Sequence, residues 1–226
     1  MSAHAPHQTS QRTLSTIRNK SDRLSHRTAM NTHFRIAITG GIGSGKSYVC
    51  SKLVEHGIKV YDCDAAAKRI MINDHTLQTK LSEVIGEEVV KDGVLQKTVL
   101  AKFLLASDDN KNIINDIVHP AVAADFMASG YQWLESAILF ESNFDKRVDF
   151  DLTVCVIAPE DIRIERIAKR DNINIEQAAQ WLKCQMPQDE MAKKADFIIV
   201  NNGKSDLSAA INSLLEAVST LDYKNK

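Results

Sequence analysis

Short, almost continuously apolar runs alternate along the chain with longer stretches in which apolar positions recur with a helical period. The apolar runs predict five strands, at residues 35–39, 59–63, within 132–140, 151–158 and 195–201. The last two runs carry apolar side chains at nearly every position, which is typical of strands buried on both faces of a parallel sheet. The alternation therefore predicts a doubly wound α/β fold, with a five-stranded parallel sheet covered by helices.

Two segments between the predicted strands are longer than one crossover helix requires. Residues 64–130 are mostly helical in pattern, so we predict a helical subdomain inserted on the sheet. Residues 159–194 are polar and rich in Arg, Lys, Asp and Gln, which fits either a solvated connection or a mobile lid. The predicted core then consists of residues 34–63, 131–158 and 195–220.

The first 33 residues differ from the rest of the chain. They are rich in Ser, Thr, His and Arg, contain Asp22 as their one acid and show no sustained apolar period, so we predict a disordered N-terminal arm, residues 1–33. Met30 lies just before the first predicted strand, where translation could truly begin. A transit peptide is the alternative, because it would also be basic, rich in serine and poor in acids.

Composition narrows the class of protein. The 226 residues are 44% apolar and 25% charged, as in an ordinary globular protein, and the net charge of -1 argues against a general nucleic-acid binder. The four cysteines form no C-x-x-C pair, which favours reduced thiols in a cytosolic type of compartment, and no apolar stretch reaches about 18 residues. We therefore expect a cytoplasmic protein without a nucleic acid, membrane or obligatory protein partner.

A glycine-rich segment carries the clearest chemistry. Residues 40–47 read Gly-Gly-Ile-Gly-Ser-Gly-Lys-Ser and match the pattern G-x-x-x-x-G-K-[ST], between a predicted strand and a predicted helix. Glycines let successive N–H groups point into one concavity that holds phosphate oxygens, and Lys46 and Ser47 would meet the β and γ phosphates and Mg²⁺. The predicted nucleotide-binding residues are Gly41, Ile42, Gly43, Ser44, Gly45, Lys46, Ser47 and Tyr48.

Two carboxylates close the second predicted strand. Asp62 and Asp64 are two positions apart, and residues two apart on a strand face the same side. Ligands of open α/β sheets bind beyond the carboxyl ends of the strands, so we expect both side chains to face the phosphates. One would hold Mg²⁺ and one would accept a hydroxyl proton from an acceptor substrate. The alternative is that they cap a strand or helix end, where Asp is favoured.

The order of motifs resembles that of the dephospho-CoA kinases. Residues 62–68, Asp-Cys-Asp-Ala-Ala-Ala-Lys, resemble the family motif D-A-D-x-I-A-R, and residues 92–95 resemble its D-G-x-L turn. Further matches follow in the family's order over about residues 34–220. They are His119-Pro120, residues 138–141 (Ile-Leu-Phe-Glu), Arg166 with Arg170-Asp171, Gln185, residues 194–196 and Asn202-Gly203.

The resemblance implies a reaction and a P-loop NTPase fold for residues 34–226. ATP, with Mg²⁺, would phosphorylate the ribose 3′-hydroxyl of dephospho-CoA, the final step of coenzyme A biosynthesis; residues 64–130 would bind the CoA moiety and residues 159–194 would form the lid. Asp64 would be the catalytic base. The other implied residues are Lys46, Arg166 and Arg170 for phosphoryl transfer; Ser47 and Asp62 for the metal; Asn202 and Gly203 beside the adenine; and Asp62, Asp64, Lys68, His119 and Glu141 for the acceptor.

Three arginines fall on one face of a predicted helix. Arg163, Arg166 and Arg170 are spaced i, i+3 and i+7. Arg166 and Arg170 match the lid pattern, and we predict that they close over the phosphates. For Arg163 we predict a solvated face shared with nearby acids.

Some positions keep alternatives open or depart from the family pattern. Lys68 and Lys97 stand where the family usually has Arg, which removes a bidentate fork, and Ala137 replaces a Pro. His119 could contact the acceptor or shape a helix end before Pro120. Glu141 could instead cap the helix that follows it.

Two other functions remain possible from the residues alone. Another P-loop kinase of small metabolites, such as a nucleoside monophosphate kinase, fits the glycine loop, but the long helical insert and the Asp62/Asp64 pair argue against it. A nucleotide-dependent switch module of the GTPase type would normally carry an N-K-x-D loop, and residues 202–204, Asn-Gly-Lys, are not that motif.

Overall fold

A five-stranded parallel sheet forms the centre of residues 34–224, the part of the chain that the computed structural model describes. Its strands are β1 (Ile36–Thr39), β2 (Val60–Asp62), β5 (Trp133–Glu135), β6 (Leu152–Ile157) and β7 (Phe197–Val200), while β3 (Val90–Lys91) and β4 (Val94–Leu95) form a separate hairpin. The sheet order is β2-β5-β1-β6-β7 with parallel neighbours, which confirms the predicted sheet. The predicted N-terminal arm, residues 1–33, lies outside the described residues.

Helices cover both faces of this sheet. In the described chain they are α1 (Lys46–Glu55), α2 (Cys63–Asn73), α3 (His75–Ile85), α4 (Lys97–Ala106), α5 (Asp108–Ser129), α6 (Glu160–Asp171), α7 (Ile175–Lys183), α8 (Gln188–Lys194) and α9 (Leu207–Lys224). None of the helices within residues 34–224 is both long and apolar enough to cross a membrane.

Alternate residues of β1 and β6 belong to two apolar clusters, one on each face of the sheet. Ile36, Ile38 and Val154 pack with the buried side chains of α1 and α9. Ala37 and Cys155 belong to the other cluster, which contains the buried residues of α2, α3 and α5. Because successive side chains of a strand point to opposite faces, a strand covered on both faces must be apolar throughout, as the sequence pattern indicated.

The second strand ends one residue earlier than the sequence pattern predicted. β2 ends at Asp62, and α2 begins at Cys63, because the Asp62 carboxylate accepts a hydrogen bond from the Ala65 amide at 2.9 Å and caps the helix. Asp64 therefore lies in the first turn of a helix. The argument that both aspartates share one side of a strand was wrong, and the helix-cap alternative is correct for Asp62.

The helices between β2 and β5 pack mainly on α5, the longest helix of the described residues. Pro120 lies inside this helix, so the alternative that His119 shapes a helix end was wrong. Ser107 caps the helix through the Asn110 amide, and Gly130 ends it in a left-handed conformation that suits glycine.

The segment between β6 and β7 is helical and closely capped. α6 begins with Glu160 and Asp161 at its positive end, and Asn172 ends it in a left-handed conformation. α7 carries a capping box in which Asn174 and Gln177 exchange side-chain and backbone hydrogen bonds. These signals mark the start and end of α6 and the start of α7.

Candidate active site

The glycine-rich loop curls between β1 and α1 as predicted. Gly43 and Gly45 have φ values of 77° and 85°, a left-handed region that favours glycine. The Ser44 amide closes a tight turn on the Gly41 carbonyl at 3.1 Å. Among the described residues, the amide N–H groups of Gly43, Gly45, Lys46 and Ser47 have no hydrogen-bond partner. The loop thus offers unpaired donors at the positive end of a helix, which is the arrangement that binds phosphate.

A cleft of about 530 Å³ opens beside this loop. Besides most of the loop, it brings together residues from four other parts of the fold. Those that sequence predicted are Lys46, Ser47, Tyr48, Asp62, Asp64, Arg166 and Arg170. Two cleft residues that it did not assign are Glu135 and Gln185.

Glu135 is the main residue that sequence reasoning missed. The Lys46 ammonium forms an ion pair with its carboxylate, and the Ser47 hydroxyl donates to the same Oε1 atom at 2.9 Å. Burial alone would raise the pKa of Glu135, but the charge and hydrogen bonds of Lys46, together with Ser47, outweigh it and hold the pKa below its usual value. Glu135 ends strand β5, which lies between β1 and β2, and it is paired in register with Ile38 and Asp62. The available signal was a carboxylate at the carboxyl end of a strand. The sequence does not show that this strand lies beside β1, and that neighbour is what brings Glu135 to the glycine loop.

Asp62 and Asp64 both line the cleft even though they do not share a strand. Asp62 uses one carboxylate oxygen to cap α2. Asp64 follows in the first turn of that helix, where the helix dipole favours a negative charge. Both predicted aspartates therefore reach the cleft, but they do so because α2 begins there and not because they alternate along a strand.

Arg163 contradicts the solvated face that we predicted for it. Its side chain is buried, with 4% of the residue exposed, and its Nε donates to the Ile42 carbonyl of the loop at 2.9 Å. Burial lowers the pKa of the Arg163 guanidinium. The prediction failed because α6 packs directly against the glycine loop, where a Cβ on Gly43 would lie 2.6 Å from the Arg163 carbonyl oxygen.

Arg166 and Arg170 both reach the cleft in different ways. Arg166 donates through Nη1 to the Gly43 and Ser44 carbonyls, each at 3.2 Å, and through Nη2 to the Asn201 carbonyl at 3.0 Å. Arg170 is exposed and pairs with its neighbour Asp171 at 2.7 Å. Arg170 is therefore the more open cation of the two.

The turn between α7 and α8 is held on two sides. Gln185 accepts a hydrogen bond from the Ile42 amide at 2.7 Å, and Glu141 accepts one from the Met186 amide at 2.5 Å. The alternative that Glu141 caps the next helix was wrong, because its carboxylate bonds this distant turn. Burial raises the pKa of Glu141.

Four other predicted residues, described below, also lie outside the cleft lining. His119 packs edge-to-face on Phe144, with ring centroids 5.6 Å apart, and burial lowers its pKa. Lys68 is exposed on α2. Asn202 accepts from the Lys204 and Ser205 amides and forms a local turn with Gly203. Their substrate roles stay predictions.

Asn201, next to the predicted Asn202, makes the contact with the glycine loop. Its Nδ2 donates to the Ser44 carbonyl at 2.9 Å, and the residue is buried. Its place directly after the fifth strand was the available signal, since ligands of such sheets bind beyond the strands' carboxyl ends.

A family model and curated relatives both match the chain to dephospho-CoA kinases. A family model described as dephospho-CoA kinase matches residues 34–206. The dephospho-CoA kinase of Bacteroides fragilis strain YCH46 is 39% identical over 201 residues, which cover 84% of this chain and 94% of that protein.

Two solved structures share the fold of this chain. The structure of TT1252 from Thermus thermophilus is 29% identical with a TM-score of 0.68, covering 83% of this chain and 97% of that one. A dephospho-CoA kinase structure from Campylobacter jejuni is 21% identical with a TM-score of 0.55, covering 85% of this chain and 98% of that one, and supports the P-loop fold.

Proposed function

Because the chain belongs to the dephospho-CoA kinase family, we propose that it transfers the γ-phosphoryl group of ATP to the ribose 3′-hydroxyl of dephospho-CoA. The products are ADP and CoA, and the reaction is the final step of coenzyme A biosynthesis. The observation that carries the proposal is one cleft in which Lys46, Ser47 and Glu135 lie beside the carboxylates of Asp62 and Asp64. One cleft therefore contains both the groups that would bind the phosphates of ATP and a carboxylate that could accept the proton of the acceptor hydroxyl.

The glycine loop binds the donor in this proposal. The unpaired amides of Gly43, Gly45, Lys46 and Ser47 hold phosphate oxygens, and Lys46 exchanges its contact with Glu135 for the β and γ phosphates. Asn202 and Gly203, after β7, lie beside the adenine. Phosphoryl transfer needs mainly positioning and charge neutralisation, which these groups supply.

The donor set also suits Mg²⁺, which prefers hard oxygen ligands. The Ser47 hydroxyl and a Glu135 carboxylate oxygen are 2.9 Å apart, and Asp62 lines the same cleft. We propose that Ser47, Glu135 and Asp62 hold the ion together with the nucleotide. No group of three or more His, Cys, Asp or Glu residues within residues 34–224 forms a separate metal cage. When bound, Mg²⁺ neutralises negative charge on the β and γ phosphates.

Asp64 is the catalytic base in this proposal. Its carboxylate takes the proton of the 3′-hydroxyl as the oxygen forms a bond to the γ phosphorus. The bond from that phosphorus to the β–γ bridging oxygen breaks, and ADP leaves with its electron pair. Arg170, exposed at the cleft, stabilises the charge on the transferring group, and Arg166 lines the same wall.

The remaining acceptor contacts and the organisation of the chain belong to the same proposal. Lys68, His119 and Glu141 bind parts of dephospho-CoA outside the cleft lining. Residues 64–130 form the CoA-binding insert, residues 159–194 the lid, and the protein works in the cytoplasm as a kinase of a small molecule.

An ADP-release assay with Mg²⁺ and ATP tests the function. The acceptors are dephospho-CoA, AMP, CMP, GMP, adenosine and none, and the product is identified by mass spectrometry. Release stimulated by dephospho-CoA alone, with CoA formed and with activity lost in Asp64→Asn, supports the proposal. Release stimulated by a nucleoside monophosphate, or by no acceptor from a protein that still binds ATP, rules it out.

A further inference from the structure

The backbone carbonyls of the glycine loop are held by side chains of which two, those of Arg163 and Asn201, lie outside the cleft lining. Three consecutive carbonyls, those of Ile42, Gly43 and Ser44, accept hydrogen bonds from side chains of α6 and of the residue after β7. The donors are Arg163 Nε to Ile42 at 2.9 Å, Arg166 Nη1 to Gly43 and Ser44 at 3.2 Å each, and Asn201 Nδ2 to Ser44 at 2.9 Å.

Holding these carbonyls also orients the amides on the other side of the loop. In a trans peptide unit the C=O of one residue and the N–H of the next point in opposite directions, and the described chain contains no cis peptide bond. The Ile42 carbonyl shares its unit with the Gly43 amide, and the Ser44 carbonyl shares its unit with the Gly45 amide. Those two amides have no hydrogen-bond partner in the described residues. The hydrogen bonds to the Ile42 and Ser44 carbonyls therefore turn the Gly43 and Gly45 amides toward the opposite side of the loop, where phosphate would bind.

Burying Arg163 at this position carries a desolvation penalty. Its residue is 4% exposed, and its Nη2 atom is buried without a partner among the described residues. A buried guanidinium costs desolvation, and an apolar side chain would fill a purely structural position at lower cost. Arg163 is absent from the cleft lining, and its Nε donates to the Ile42 carbonyl.

We propose that Arg163 is a positioning residue for the phosphates of ATP, acting through the Ile42 carbonyl on the orientation of the Gly43 amide. The inference deepens the proposed function and rests on its assignment of ATP as the donor. The close approach of α6 explains the glycines facing it, because a Cβ on Gly41 would meet Arg163 Nη2 and a Cβ on Gly43 would meet the Arg163 backbone.

The test compares Arg163→Gln with Arg163→Lys and a matched control, Lys169→Gln. Lys169 is exposed on the same helix and carries the same charge, but it forms no hydrogen bond or ion pair with the described residues of the loop. Dissociation constants for ATP, tripolyphosphate and dephospho-CoA are measured by calorimetry, with thermal melting as the folding control. Hydrogen bonds to charged groups predict that Arg163→Gln weakens ATP and tripolyphosphate about tenfold or more. Dephospho-CoA should stay within about twofold, Arg163→Lys should recover part of the loss, and Lys169→Gln should match the wild type.

Each other outcome overturns the positioning role. Equal weakening of ATP and dephospho-CoA, unchanged ATP and tripolyphosphate affinity in a folded Arg163→Gln protein, or failure of both variants to fold would make Arg163 a structural residue. The proposed function is judged separately, because a wild-type protein that binds ATP without phosphorylating dephospho-CoA defeats that function and leaves the tripolyphosphate result intact.

Discussion

Lys46 and Glu135, which are 89 positions apart in the chain, form an ion pair at the wall of the phosphate cleft. β5 lies beside β1 in the sheet, so the end of β5 meets the first turn of α1. The lysine that sequence assigns to the phosphates is therefore already held by a carboxylate. In the proposed function, ATP replaces this carboxylate at Lys46 and leaves Glu135 beside Ser47.

Replacing Lys46 tests the donor side. Lys46→Ala should raise the ATP dissociation constant by about 100-fold or more and abolish turnover, because a charge-assisted contact with two phosphates is lost. The control is Lys59→Ala, an exposed lysine just beyond the end of the same helix and outside the cleft lining. Calorimetric ATP binding and the ADP-release assay give the readout; normal ATP affinity in Lys46→Ala would contradict the assignment.

Replacing Glu135 tests the metal side. Glu135→Gln keeps an acceptor for Ser47 but loses the negative charge, so the Mg²⁺ concentration for half-maximal rate should rise about tenfold and kcat should fall about 100-fold. Magnesium titrations of the initial rate, at saturating ATP and dephospho-CoA, measure both values. Glu83→Gln, an exposed carboxylate of α3, serves as the control. An unchanged magnesium dependence would show that Glu135 only pairs with Lys46.

Asp64→Asn separates chemistry from donor binding. The amide cannot accept the hydroxyl proton, so kcat should fall between about 100-fold and 10,000-fold while the ATP dissociation constant stays within about twofold. Single-turnover rates and calorimetric ATP binding measure the two effects. A variant that keeps near-normal kcat would remove Asp64 from the role of base.

Arg170→Ala should affect turnover without affecting stability. The side chain is exposed and pairs only with Asp171 in the described structure, so the melting temperature should stay within about 2 °C. The loss of a cation that stabilises the transferring group should lower kcat about 100-fold or more. Lys169→Ala on the same helix is the control. A lower melting temperature with normal kcat would indicate a structural role.

His119 predicts a pH dependence of stability. Burial, with a further contribution from Arg147, lowers the pKa of His119 in the folded protein below its usual value of 6.5. Below pH 6.5 the unfolded chain then binds more protons at this residue than the folded chain, so the free energy of unfolding falls as the pH falls toward the folded pKa. His119→Gln should flatten this slope, measured by urea unfolding between about pH 5 and 7. The same slope in both proteins would contradict the buried neutral histidine.

The sequence predicts what short-range patterns determine. The strands can be predicted because a sheet covered on both faces requires continuous apolar runs. Lys46 and Ser47 can be predicted because the glycine loop is one contiguous segment. Asp64 was assigned to the correct cleft by a wrong route, since the capping bond of Asp62 that starts α2 competes locally with strand extension.

Glu135, Arg163 and Asn201 were missed for a different reason. Each acts on the glycine loop from far along the chain, across the sheet order or the packing of α6. Helical spacing grouped Arg163 with Arg166 and Arg170, but it does not say which neighbour covers that face. Only the packing of α6 on the loop distinguishes a buried guanidinium from a solvated one.

The order of the strands also constrains how the protein is made. β1 and β2 are the first two strands of the core along the chain, yet β5, which the ribosome delivers after the whole α2–α5 segment, lies between them. A nascent chain that ends before Trp133 thus has no edge on which β1 and β2 can join, and its glycine loop lacks the carboxylate that meets Lys46. Such non-local pairing is slow and leaves strand edges open, so the growing polypeptide depends on α2–α5 to cover apolar surface until the sheet can close.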